Sequence, residues 1–141
     1  MHVLISDCSV LIDMEEVSLI KEMFSLPYTF SIPDILYHEE LDDNSLLMHG
    51  LNILSLSSQT VKYKEIITPK YYKASSNDLF LLALAKQETC MLITRNSKLK
   101  QIGEEESIVI KGISWIFDEL IKHDIISLKK SKEAYCRIFN S

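Results

Sequence analysis

Four places in this 141-residue chain carry side chains whose type and setting could do chemistry on a phosphate ester. Asp7 stands directly behind the apolar run V-L-I-S and ahead of C-S-V-L-I; Glu39 and Glu40 are adjacent; Asp78 precedes L-F-L-L-A-L-A; and T-R-N, residues 94 to 96, follows M-L-I. Each has an ordinary structural explanation. A single Asp after a strand more often caps the next helix than catalyses, helical glutamates are mostly solvated, and Asp78 completes an S-x-x-D capping box with Ser75. The combination carries more weight than its parts. The helix that Asp78 opens is apolar almost all round and must be buried, so its N-terminal carboxylate is carried toward the same sheet edge as Asp7. Carboxylates gathered there repel one another unless a cation compensates. Hard oxygen ligands of this kind select Mg²⁺ or Mn²⁺ over zinc, and such ions serve metal-assisted phosphodiester hydrolysis.

The elements that must position these residues alternate. Val3 to Ser6 reads as a buried strand. A helical spacing follows at Val17, Ile20 and Phe24, then an extended run over 28–32 that Pro33 stops. Asp34 can cap a helix through Leu41, which the polar stretch at 42–45 loosens or ends. The strand candidate 51–56 precedes a helix from Ser58 to Ile67, terminated by Pro69, and a strong helix over Asn77 to Gln87. Strands over 90–94 and 107–111 flank an amphipathic helix at S-K-L-K-Q-I-G-E-E, and helices over Ser114 to His123 and Ser127 to Phe139 close the chain. Near-continuously apolar strands alternating with helices predict a three-layer α/β/α sandwich around a parallel sheet of four or five strands. Ligands of such sheets bind beyond the carboxyl ends of the strands, where all four places fall, three of them acidic.

Composition sets the outer limits. The length suits a single domain over 1–141, and 47% hydrophobic against 25% charged residues, with a mean hydropathy of +0.07, excludes a disordered chain. Three glycines and three prolines are too few for a hairpin-rich all-β fold. Cys8, Cys90 and Cys136 form no C-x-x-C pair and read as thiols of a reducing compartment. The longest apolar run, 79–85, is far short of the ~18 residues of a membrane helix, and no leader-like segment opens the chain, so a cytoplasmic protein without membrane contact is expected. The net charge of −5 gives no global attraction to nucleic acid, which leaves any such binding to a local basic surface or to metal ions.

D-C-S-V-L-I (7–12), H-E-E-L (38–41), N-D-L-F-L-L-A-L-A (77–85) and L-I-T-R-N (92–96) occur in an order and spacing that resembles the PIN-domain nucleases, especially the small VapC-type ribonuclease toxins of toxin–antitoxin pairs. The resemblance runs from about residue 3 to residue 120. It implies a PIN-type sandwich in which Asp7, Glu40 and Asp78 are metal ligands for Mg²⁺ or Mn²⁺. Ser9 matches the small hydroxyl residue two after the first Asp, and Thr94 the threonine of T-x-D. Glu40 is preferred to Glu39 because the family's glutamate directly precedes a leucine, here Leu41. One departure stands out: the fourth acid is Asn96, and a variant pattern with the acid three positions on would need an aspartate where Leu99 stands. An asparagine oxygen can accept a bond from a metal-bound water but brings no charge, so a second metal would be held weakly.

Cations for a substrate backbone are offered by Arg95, Lys98 and Lys100, and by K-Y-K-E-I-I-T-P-K-Y-Y-K (62–73), where Lys70 and Lys73 alternate with tyrosines in the manner of single-stranded RNA binding, although a solvated helix with outward lysines and half-buried rings is the preferred reading of that stretch. The expected function is a metal-dependent endoribonuclease acting on RNA, its catalytic set Asp7, Glu40, Asp78 and Asn96, its partner a cognate antitoxin, with a homodimer also implied. The alternative is a catalytically impaired PIN domain that binds RNA or protein. A phosphoacceptor receiver domain, for which Lys111 could serve, fails at the third strand, which leads into Ser57 and Ser58 without an acceptor aspartate.

Overall fold

The computed structural model describes residues 3–41 and 44–139; the side chains of Val3, Leu4, Ser6, Glu40, Leu41 and Asn44 stand outside that description. Five strands, β1 (Val3–Ser6), β2 (Thr29–Pro33), β3 (Asn52–Leu54), β4 (Leu92–Ile93) and β5 (Ile110–Lys111), form one sheet in the order β3-β2-β1-β4-β5 with every pairing parallel. Ile5, Phe30, Ile32, Leu92 and Ile93 are wholly buried, as a sheet covered on both faces requires.

Nine helices follow in the described chain: α1 (Cys8–Glu16), α2 (Ile20–Phe24), α3 (Asp34–Leu36), α4 (Asn44–His49), α5 (Ser58–Ile67), α6 (Ser76–Glu88), α7 (Ser97–Glu105), α8 (Ile113–Lys122) and α9 (Leu128–Phe139). Right-handed crossovers lay α1 to α4 over one face and α5 to α7 over the other. The contacts agree: α6 lies on β1, β2 and β4 and carries α5, whereas α8 packs on α2 and α9 on α8. This is the expected three-layer sandwich, with five strands. Leu79, Leu81, Leu82, Ala83, Leu84 and Ala85 of α6 are all buried, which explains a helix apolar on every side.

Two local expectations are corrected. The spacing Val17–Ile20–Phe24 does not mark one helix: α1 ends at Glu16 with Val17 as its C-cap, and α2 begins at Ile20, with Ser18 between them at φ +59°. The Leu19 N–H reaches the Met14 carbonyl at 2.9 Å and the Ser18 N–H that of Glu15 at 3.0 Å, a Schellman turn whose left-handed residue is a serine instead of glycine. The helix expected from Asp34 through Leu41 is α3 followed by a π-helical turn over Tyr37–Leu41. Asp34 does not cap it; the extended Pro33 precedes the helix, and the Asp34 carboxylate accepts instead from the Ile35 N–H at 2.7 Å and the Ser55 hydroxyl at 3.3 Å. The expected loosening over 42–45 falls partly outside the described residues, and α4 resumes at Asn44.

The strand order reverses direction between β1 and β4, so the crevice beyond their carboxyl ends is the switch point where ligands of such sheets bind.

Candidate functional site

Register brings the first two landmarks together. Ser6 pairs with Ile93, and the Asp7 N–H donates to the Ile93 carbonyl at 3.0 Å, so β1 and β4 deliver their next residues, Asp7 and Thr94, side by side. The Thr94 hydroxyl, 4% exposed, donates to one Asp7 oxygen at 2.7 Å; the Ser9 N–H donates to the other at 3.0 Å as Asp7 caps α1. Capping and site-building are thus compatible roles for the same carboxylate. Ser9 acts here through its backbone.

Asn96 extends the network. Its N–H donates to the Thr94 hydroxyl oxygen at 3.1 Å, and its Oδ1 caps α7 by accepting from the Lys98 and Leu99 N–H groups at 3.0 and 3.4 Å. That engagement fixes the amide: Nδ2 must face the other way, where it reaches Asp78 Oδ2 at 3.4 Å. Asp78 lies in the first turn of α6, its N–H held by the Ser75 hydroxyl at 3.1 Å, which is the capping half expected of S-x-x-D. Asp7, at the end of β1, and Asp78, in the first turn of α6, are joined through Thr94 and Asn96.

The second acidic landmark lies on the π-helical turn, a distortion that concentrates at functional sites. Glu39 is exposed there, and the Glu40 side chain falls outside the described residues. Among the described residues, no group of three or more His, Cys, Asp or Glu side chains is close enough to hold a metal ion.

Asp78 and Asn96 open onto a cleft of about 660 Å³ whose other wall is Lys70, Tyr71, Tyr72 and Lys73, with Lys98 and Gln101 along α7. Its cations differ in role. Lys70 pairs with Glu106 at 3.0 Å, whereas Lys73 lies over the ring of Tyr72, which is 76% exposed. Arg95 is turned away from the cleft: it pairs with the buried Asp13 at 2.5 Å and covers the Phe139 ring, 4.6 Å from Cζ to centroid. The sequence reading missed Asp13, and no local pattern marks a pairing between residues so far apart.

It also missed Glu106, the hub of the cleft's far end. This carboxylate accepts from the hydroxyls of Tyr71 at 2.7 Å and Tyr63 at 2.9 Å as well as from Lys70. The Tyr71 bond, against desolvation and with help from Lys70 and Tyr63, holds the acid down to about 2. Desolvation first, then the same bonds, pushes both phenols well above their ordinary value. The half-buried tyrosines of 62–73 are therefore anchors of the segment, and Tyr72 is its exposed ring. Asp118, on α8, is exposed.

No family model and no curated protein sequence matches the chain. Solved structures do. VapBC-1 from nontypeable Haemophilus influenzae aligns with a TM-score of 0.59 at 17% identity, over 81% of this chain and 99% of that one. A PilT N-terminus domain protein from Sulfolobus solfataricus gives 0.59 at 16% identity, over 87% and 96%. The chain has a PIN-domain fold. A toxin–antitoxin complex from Klebsiella pneumoniae aligns at 0.52 and 24% identity, over 67% of this chain and 88% of that one. Within this PIN fold, β1, β4 and α6 place Asp7, Thr94, Asn96 and Asp78 around the switch point. No helix among the described residues is long and apolar enough to cross a membrane.

Proposed function

We propose that this protein is a metal-dependent endoribonuclease that hydrolyses RNA phosphodiester bonds, and that it is the toxin of a toxin–antitoxin pair with a cognate antitoxin as its protein partner. The observation that carries the reading is the bridge from Asp7 through Thr94 and Asn96 to Asp78 at the switch point. Asp7 and Asp78 offer hard oxygen donors that suit Mg²⁺ or Mn²⁺, with Glu40 of the π-helical turn as the third ligand. A divalent ion held there would supply Lewis acidity for activating water and for neutralising charge on the phosphate. Thr94 and the Ser9 N–H hold both Asp7 oxygens in one orientation, so the carboxylate needs no reorganisation to orient a nucleophile or take its proton. Lys73 and Lys98 line the path of a phosphate backbone, and exposed Tyr72 provides a surface for a base.

Cleavage of single-stranded RNA in Mg²⁺ or Mn²⁺, with and without chelator, tests this. The expected result is metal-dependent cleavage that Asp7→Asn lowers on the order of 10²-fold or more; cleavage indifferent to chelator and to that substitution would contradict it.

A second reading rests on Asn96. With Oδ1 committed to the α7 cap and Nδ2 toward Asp78, this amide presents a donor where a metal site needs an acceptor. A domain so altered would bind RNA or a protein without cutting efficiently. A rise in cleavage of about tenfold or more in Asn96→Asp would favour it.

A further inference from the structure

On the side of Asn96 away from the Lys–Tyr cleft lies a second, smaller hollow of about 210 Å³, bounded by Thr94, Asn96, Lys100, Ser114, Tyr135 and Phe139. Its volume is below the ~300–1,000 Å³ of a whole-ligand pocket, so it accommodates one ring system and not a folded segment. It shares the wall made by Thr94 and Asn96 with the carboxylate site.

One side is an aromatic pile. The Tyr135 and Phe139 rings lie 4.4 Å apart at 35°, Phe117 supports Tyr135 edge-on at 5.9 Å, and the Arg95 guanidinium covers Phe139. Two facts make this more than the end of a helix. Arg95 is held by Asp13, and Arg137 donates to the Glu16 carbonyl at 3.3 Å, so α9 is tied to α1 and its rings are fixed. Even so, Tyr135 and Phe139 remain 39% and 45% exposed beside exposed Lys100. Planar rings on rigid supports, a neighbouring cation and a shared wall with a phosphate-chemistry site match the way single-stranded nucleic acids are gripped, by stacking plus phosphate neutralisation.

We infer that this hollow is a nucleobase subsite: a base of single-stranded RNA next to the phosphate at Asp7 stacks on the Tyr135–Phe139 pair, with Lys100 on its backbone. The inference rests on the proposed RNA activity and adds to it a second contact region, so that the strand crosses Asn96 between Tyr72 on one side and α9 on the other.

The test measures binding apart from cleavage, in the Asp7→Asn background, by anisotropy of a 5′-fluorescein-labelled mixed-sequence 12-nucleotide RNA and of an abasic oligomer of equal length. Tyr135→Leu/Phe139→Leu is expected to weaken the base-bearing probe roughly 5- to 150-fold, the range of one lost stacking contact. The abasic probe should change less than twofold, and Phe139→Tyr should retain affinity while the circular dichroism of every variant matches the parent. Lys100→Gln should weaken both probes alike. Equal binding of the RNA by parent and double variant would overturn the subsite while leaving the nuclease reading intact. A parent that neither binds nor cleaves RNA would instead remove the activity on which it rests. A double variant that loses only self-association, seen by sedimentation, would assign the rings to a contact between copies and overturn the proposal.

Discussion

Asn96 decides what the carboxylate pair can do. Its amide gives Asp78 a neutral donor, so Asp78 has less need of a cation than it would facing a second acid at position 96. Asp is as good an N-cap as Asn, so Asn96→Asp keeps α7 but replaces that donor with a like charge. The variant is therefore expected to melt at a lower temperature than the parent in chelator and to gain more from Mn²⁺, read as a larger metal-dependent shift in Tm. Equal shifts in the two proteins would mean that position 96 does not face the metal. Asn96→Ala, by contrast, removes cap and donor together and is expected to cost about 1 kcal/mol whatever the metal. The places of Asp7, Asp78 and Asn96 in the fold were legible in the sequence because each follows a strand or opens a helix. The amide's orientation was not, since it depends on which backbone N–H groups its oxygen meets.

Among the helices, α7 governs the cleft because it touches both ends: Asn96 caps its start, and Glu106 just past its end gathers Tyr63, Lys70 and Tyr71. Glu106 is held well below its ordinary value, so its contribution to stability is fully present above about pH 5 and is lost as pH falls from there toward 2. Urea unfolding of parent and Glu106→Gln across pH should give a difference that is constant near neutrality and shrinks through that acidic window. A helix glycine, Gly103, sets how closely α7 lies on β5: a Cβ there would stand 2.7 Å from Ile110 Cγ1 and closer still to Cδ1. Gly103→Ala is expected to cost about 1–3 kcal/mol, part of which Ile110→Val restores by removing the nearer atom. The bounds of α5 and α7 were readable from Ser57, Pro69 and Asn96, which are direct start and stop signals. The break between α1 and α2 was not, because four helix ends in this chain turn on Ser18, Thr89, Ser107 and Asp124 at positive φ where glycine would have announced them. Thr89 is exposed and β-branched, the least suited of the four, and Thr89→Gly is expected to raise stability by about 0.5–1 kcal/mol in chemical denaturation.

At the scale of the whole molecule, the parallel sheet converts a one-dimensional pattern into a site. The order β3-β2-β1-β4-β5 places the ends of β1 and β4 beside each other and brings the buried α6 across both, so Asp7 meets Thr94, and Asp78 reaches Asn96 two residues further on, although the chain separates them widely. That convergence followed from strand–helix alternation and from an all-apolar helix. The walls around it did not. The Arg95–Asp13 pair, the Glu106 hub and the aromatic end of α9 depend on side chains brought together only by packing. The proposed function requires Asp7 and Asp78 to serve one cation. Calorimetric titration of the chelated, metal-free protein with Mn²⁺ tests it most directly. Saturable binding is expected, which Asp7→Asn and Asp78→Asn each weaken at least tenfold, with the double variant little worse than either. Binding that survives unchanged in either single variant, or losses that simply add, would contradict it.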